Sequence, residues 1–146
     1  MVSPVKRRAQ LAVGVLAALA LPAAALANYG GKLDSPGAGI ELAASFKHGS
    51  PKAVTSFEFH NVPTSCGSYG TSATTGEVNK DMEVDSDGKF HKTFHQNSGR
   101  ETIKIRGHFF DDAKKVSGTL HVTGTISGCS TSDTGVVHWK VHKHKK

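Results

Sequence analysis

From residue 28 onward, apolar and polar side chains alternate with a period of two. Ile40, Leu42, Ala44 and Phe46 share one side of a run whose other side carries Glu41 and Ser45. Thr55, Phe57 and Phe59 alternate with Ser56, Glu58 and His60. Ile103, Ile105, Gly107 and Phe109 alternate with Thr102, Lys104, Arg106 and His108, and Val116, Leu120, Val122 and Ile126 with Ser117, Thr119, His121 and Thr123. Val137, Trp139 and Val141 close the series. Such alternation marks strands with one face inside and one in water. No helical period of ten or more residues occurs after Ala27. The pattern predicts strands over 40–46, 52–60, 101–110, 115–126 and 134–142, with weaker ones near 32–35, 71–81 and 89–95.

The links are turn chemistry: Ser35-Pro36-Gly37, Gly49-Ser50-Pro51, Asp85-Ser86-Asp87-Gly88 and Asp111-Asp112-Ala113-Lys114. Parallel pairing needs crossovers of about a dozen residues or more, and these links are too short. The fold class is therefore all-β: an antiparallel meander of about eight strands, closed as a small barrel or folded as a two-layer sandwich. Phe46, Phe57, Phe59, Phe109, Leu120 and Trp139 are expected to fill the interior.

The chain of 146 residues is too short for a two-domain enzyme. Its first 27 residues read as an export signal: Lys6, Arg7 and Arg8, an apolar stretch from Leu11 to Leu21, and Ala25-Leu26-Ala27 as a small-x-small cleavage site. The apolar stretch is short for a membrane span of about 20 residues. The expectation is a cleaved signal over 1–27, a single β domain over 28–139 and a basic tail over 140–146. The mature chain would be secreted or periplasmic, with no transmembrane anchor. An oxidising space makes Cys66 and Cys129 a disulfide.

Hairpin geometry gives a first estimate of the outer surface. A turn at Asp111 to Lys114 brings Lys104 near His121, and a last turn centred near Thr131 brings His121 near His142. The resulting cluster, Lys104, His121 and His142, falls short of the three or four donors that zinc takes, so no metal and no cofactor is expected. Glu83 to Phe90 imitates the start of a calcium loop, but Phe94 occupies the position of the closing carboxylate, so a polar hairpin is expected. Ser86-x-x-Lys89 falls in a turn, where the lysine cannot sit one helical turn from the serine. No nucleophile elbow, metalloprotease helix or phosphate loop is present. His60 with Glu58 and His121 with a carboxylate are the pairs to watch; alternation predicts that they point outward singly. No catalytic residue is assigned, and an enzyme ranks third, behind a binding module and a carrier.

After removal of Lys6, Arg7 and Arg8, fifteen basic residues face twelve acidic ones, a net of about +3. Lys140, Lys143, Lys145 and Lys146 account for that excess, which places the positive charge in the tail. The tail could hold an anionic surface or polymer by salt-sensitive attraction, with no specific nucleic acid implied.

The string Phe57-x-Phe59, Cys66, Gly88-x-Phe90, Ile105-x-Gly107-x-Phe109, Ser117-Gly118-Thr119-Leu120, Cys129, Thr134-Gly135-x-Val137-x-Trp139 resembles a group of small secreted bacterial β-proteins with no assigned activity. A looser similarity is to ligand barrels of the avidin and lipocalin type, without the tryptophans that line a biotin pocket. The resemblance implies a fold and no chemistry. The functional expectation is an exported, non-catalytic β module that binds an envelope component, polymer or protein; the alternative is a small-molecule carrier using a barrel interior.

Overall fold

A computed structural model describes residues 25–67, 70–126 and 128–145. Most of the expected signal, residues 1–24, lies outside the described residues. Ten strands form one antiparallel sheet: β1 Ala25–Lys32, β2 Gly39–Lys47, β3 Ser50–Ser65, β4 Thr71–Val78, β5 Met82–Glu83, β6 Lys89–Gln96, β7 Glu101–Phe110, β8 Lys115–Ile126, β9 Cys129–Asp133 and β10 Val137–Lys143. The sheet rolls into a ring without becoming a clean barrel.

The ten strands occupy eight positions around the ring. β4 and β5 lie end to end along β3, and β9 and β10 lie end to end along β8. Sequential hairpins therefore give a meander, closed where β10 pairs with β1 through Tyr29↔Lys143 and Gly30↔His142. A second contact ties Ser65 at the end of β3 to Asp133 of β9. The Cys66–Cys129 disulfide locks that corner. On the far side, β6 has no ladder partner except β7 among the described residues. Charge blunts this edge: Lys92 points inward between Phe90 and Phe94 but stays exposed, its amine 5.7 Å from the centre of the Phe94 ring.

One apolar cluster fills the ring. Tyr29, Phe57, Phe59, Ile103, Ile105 and Leu120 are fully buried, and Phe109 and Trp139 nearly so. Phe46 is only partly buried. It lies beyond a register shift between Ser45 and Phe46, at one end of the ring, where it packs edge-on against Phe109.

Three aromatic side chains lie over glycines directly opposite them: Phe59 over Gly76, Phe90 over Gly107 and Trp139 over Gly118. Each glycine leaves the space a ring occupies, a pairing that supports curvature in sheets. Bulges add more. A shift at Ala43/Ala44 turns Val54 into the core in place of Thr55, and Asn61, with a φ of +49°, lets β3 run on past His60 to bury Val62 and Thr64.

Candidate functional site: a basic, histidine-rich sheet face

The alternation that buries one side of β6, β7, β8 and β10 exposes the other. Cross-strand pairing arranges those outward side chains in rows. His91, Arg106, Thr119 and His138 form one row, and Lys89, His108, Ser117 and Lys140 the next. Thr93, Lys104 and His121 form a third, and His142 stands opposite Lys115. Thus this face carries lysine, arginine and imidazole, with serine, threonine and the outward Phe110 between them. Glu101, the one carboxylate on these four strands, is on the inner side, where burial pushes its carboxyl above the usual range.

The opposite face is acidic. Glu41 of β2, Glu58 of β3 and Glu77 of β4 stand directly opposite one another, with Glu83 on β5. The net charge of the chain averages these two faces. The tail lysines do supply the numerical excess, but the positive side of the molecule extends well into the domain.

Of the predicted polar cluster, Lys104 and His121 are opposite one another as expected. His142 is not part of it. It lies opposite Lys115, six residues along β8 from His121, or roughly 20 Å at strand spacing. The turn after β8 falls between Ile126 and Cys129 rather than near Thr131, so the returning strand is shifted and its first part pairs as β9.

Asp133 takes the place expected for His142. Its Oδ1 lies 2.7 Å from His121 Nε2 and accepts the Gly135 amide N–H at 2.7 Å. These contacts hold its carboxyl below the usual carboxylate range, the Gly135 amide first and the His121 ring second. Thr134 completes the break between β9 and β10: its Oγ1 accepts the Val122 amide at 2.9 Å and donates to the Gly135 carbonyl at 2.7 Å. The Asp-Thr-Gly run is the sequence signal for this turn.

Outward groups also meet on the acidic face, where His60 Nε2 lies 3.5 Å from Glu41 and 3.4 Å from Glu58. Histidine–carboxylate pairs therefore form at both positions where single groups were expected. Among the described residues no hydroxyl hydrogen-bonds to His121 or His60, so neither pair includes an activated nucleophile.

Asp85 accepts the amides of Asp87 and Lys89, both at 2.9 Å. The Lys89 amide is the larger cause that keeps its carboxyl below the usual range, and the segment is the hairpin turn before β6. The larger hollows lie around the ring: one of about 970 Å³ is walled by Lys47, Pro51, Asp85 and Phe110, one of about 890 Å³ by Lys52, Glu83, Lys89 and Lys92, and one of about 870 Å³ by Ala25, Leu26, Phe46 and Lys143. Phe57, Phe59, Ile103, Ile105 and Leu120 line none of the described hollows. Among the described residues no helix is long and apolar enough to cross a membrane.

Comparison with protein-family models, with curated proteins and with solved structures finds no match to this chain.

Proposed function

We propose that the protein is a non-catalytic binding module of the extracytoplasmic space that holds an anionic polymer against the outer face of β6, β7, β8 and β10. The observation that carries this reading is the sorting of charge by strand: Lys89, Lys104, Arg106, Lys115 and Lys140 share one rigid face, and the carboxylates of Glu41, Glu58, Glu77 and Glu83 share the other. Ordered rows of cations attract a polyanion by releasing its counterions, and focus an approaching negative charge on one side of the protein. The disulfide is compatible with an oxidising compartment. The packed centre of the ring gives the carrier alternative no support.

The test is fluorescence anisotropy of labelled heparin and labelled polyphosphate at several salt concentrations. Binding should weaken linearly in log–log form as salt rises. Charge reversal of Lys104→Glu with Arg106→Glu should weaken it by about tenfold or more, since each phosphate contact contributes one unit or so of salt slope. Reversal of Lys47 and Lys52, outside this face, should change it little. No binding at low salt, or equal affinity in the Lys104/Arg106 variant, defeats the reading.

A further inference from the structure

We propose that Glu41, Glu58 and His60 form a zinc site on the acidic face of the sheet. This inference does not depend on the polyanion reading, because it concerns the other face and a different ligand.

Its basis is the geometry of three donors on two adjacent strands. Glu41 and Glu58 are direct cross-strand partners, and His60 follows Glu58 by two residues on the same face. The donor atoms of all three lie within 4.8 Å of one another. The strands beneath cannot slide, because the alternate residues Ile40, Leu42, Phe57 and Phe59 are locked in the core.

The distances decide between two readings of the cluster. A charge-assisted N–H···O hydrogen bond is about 2.7–2.9 Å long, and His60 stands further than that from both carboxylates, at 3.4 and 3.5 Å. Zinc binds imidazole and carboxylate at about 2.0–2.2 Å, which makes the edge of its tetrahedron about 3.3–3.6 Å. The two imidazole–carboxylate separations match that edge. All three side chains are one-third to three-fifths exposed, so an ion can reach them without opening the sheet.

An independent observation is electrostatic. Glu41, Glu58 and Glu77 stand side by side across three strands, and like charges directly opposite one another destabilise a sheet. Among the described residues no lysine or arginine forms an ion pair with any of them; His60 alone faces two of the three. A divalent cation would neutralise that row where no lysine or arginine among the described residues does.

Three protein donors leave the fourth position of the tetrahedron to water.

The experiment is calorimetric titration of the oxidised protein with zinc chloride alone, repeated with cobalt(II) to read geometry from its visible absorption. The expected result is one ion per chain and an intense tetrahedral cobalt spectrum. Glu58→Gln and His60→Ala should each weaken binding by about tenfold or more, and His144→Ala should leave it within about threefold. His142→Ala and Glu77→Gln, which remove no ligand, should stay within about threefold of the parent. Circular dichroism confirms that each variant keeps its strand spectrum, and Glu58→Gln preserves side-chain shape should His60→Ala fail to fold. No binding at millimolar zinc overturns the proposal. So does zinc affinity that survives both Glu58→Gln and His60→Ala, or that disappears with the tail histidines alone, since the ion would then sit on the tail.

Discussion

Gly118 offers the sharpest test of how the ring is built. A Cβ at this position would stand 1.8 Å from the Arg106 carbonyl oxygen and 2.7 Å from Cζ2 of Trp139, where ordinary contact begins at about 3.4 Å. Alanine therefore has to push β7 away from β8 as well as move the indole. Forcing one methyl into a packed core costs about 1–3 kcal/mol. Each ladder hydrogen bond loosened alongside it adds about 0.5–1.5 kcal/mol. A loss of about 3–4 kcal/mol is expected for Gly118→Ala, a large part of the stability of a domain this size. The assay is equilibrium unfolding in urea of the oxidised protein. Gly99→Ala is the comparison, since a Cβ there meets nothing within 4 Å and pays only for a φ of +82°, about 1 kcal/mol. Gly107 adds a second contrast, because its nearest obstacles are the Phe90 ring atoms, at 2.2 Å and above, rather than backbone. Phe90→Leu should thus rescue part of Gly107→Ala, whereas Trp139→Leu should not rescue Gly118→Ala in a double-mutant cycle. If Gly118→Ala costs no more than Gly99→Ala, the close approach of β7 and β8 is wrong.

Two further outcomes test other parts of the fold. Replacing Cys66 and Cys129 by serine frees a loop with a sequence separation of 63, which loop-closure entropy values at about 4 kcal/mol, and the urea midpoint should fall accordingly; an unchanged midpoint refutes it. Burial pushes the Tyr29 hydroxyl up to about 12, and that hydroxyl donates to the Ala113 carbonyl at 2.6 Å. Because the folded value is raised, its contribution is fully present below the ordinary tyrosine value near 10 and is lost as pH climbs toward 12. Tyr29→Phe should flatten the stability–pH curve over that window, and parallel curves for the two proteins would refute the assignment.

Most strands were legible because period two survives in them, from Ile40 and Leu42 through to Val137, Trp139 and Val141, but the strand expected near 32–35 is a turn, and β1 at Ala25–Lys32 runs across the expected cleavage site instead. The Lys104–His121 neighbourhood was legible too, since a single short turn at Asp111 to Lys114 sets that register. What escaped depends on bulges and on a misplaced turn. An uninterrupted hairpin continuing Lys47↔Ser50 would put Glu41 opposite Ser56. Two register shifts in β2 and β3 instead deliver Glu58 to Glu41, and with it His60. Likewise, β9 displaced His142 from His121 and brought Asp133 there. The two-faced charge could not be seen in a sum. It appears only once neighbouring strands are known, because rows of outward residues belong to several distant segments of chain.

The pairing of β1 with β10 has a consequence for how the molecule comes into being. Tyr29 and Gly30 find their partners in Lys143 and His142, so the first strand made waits for the last. A nascent chain that has not yet released β10 cannot complete the circle, and contacts this remote in sequence slow folding. The polypeptide should therefore stay threadable until β10 is free, then close in a late step.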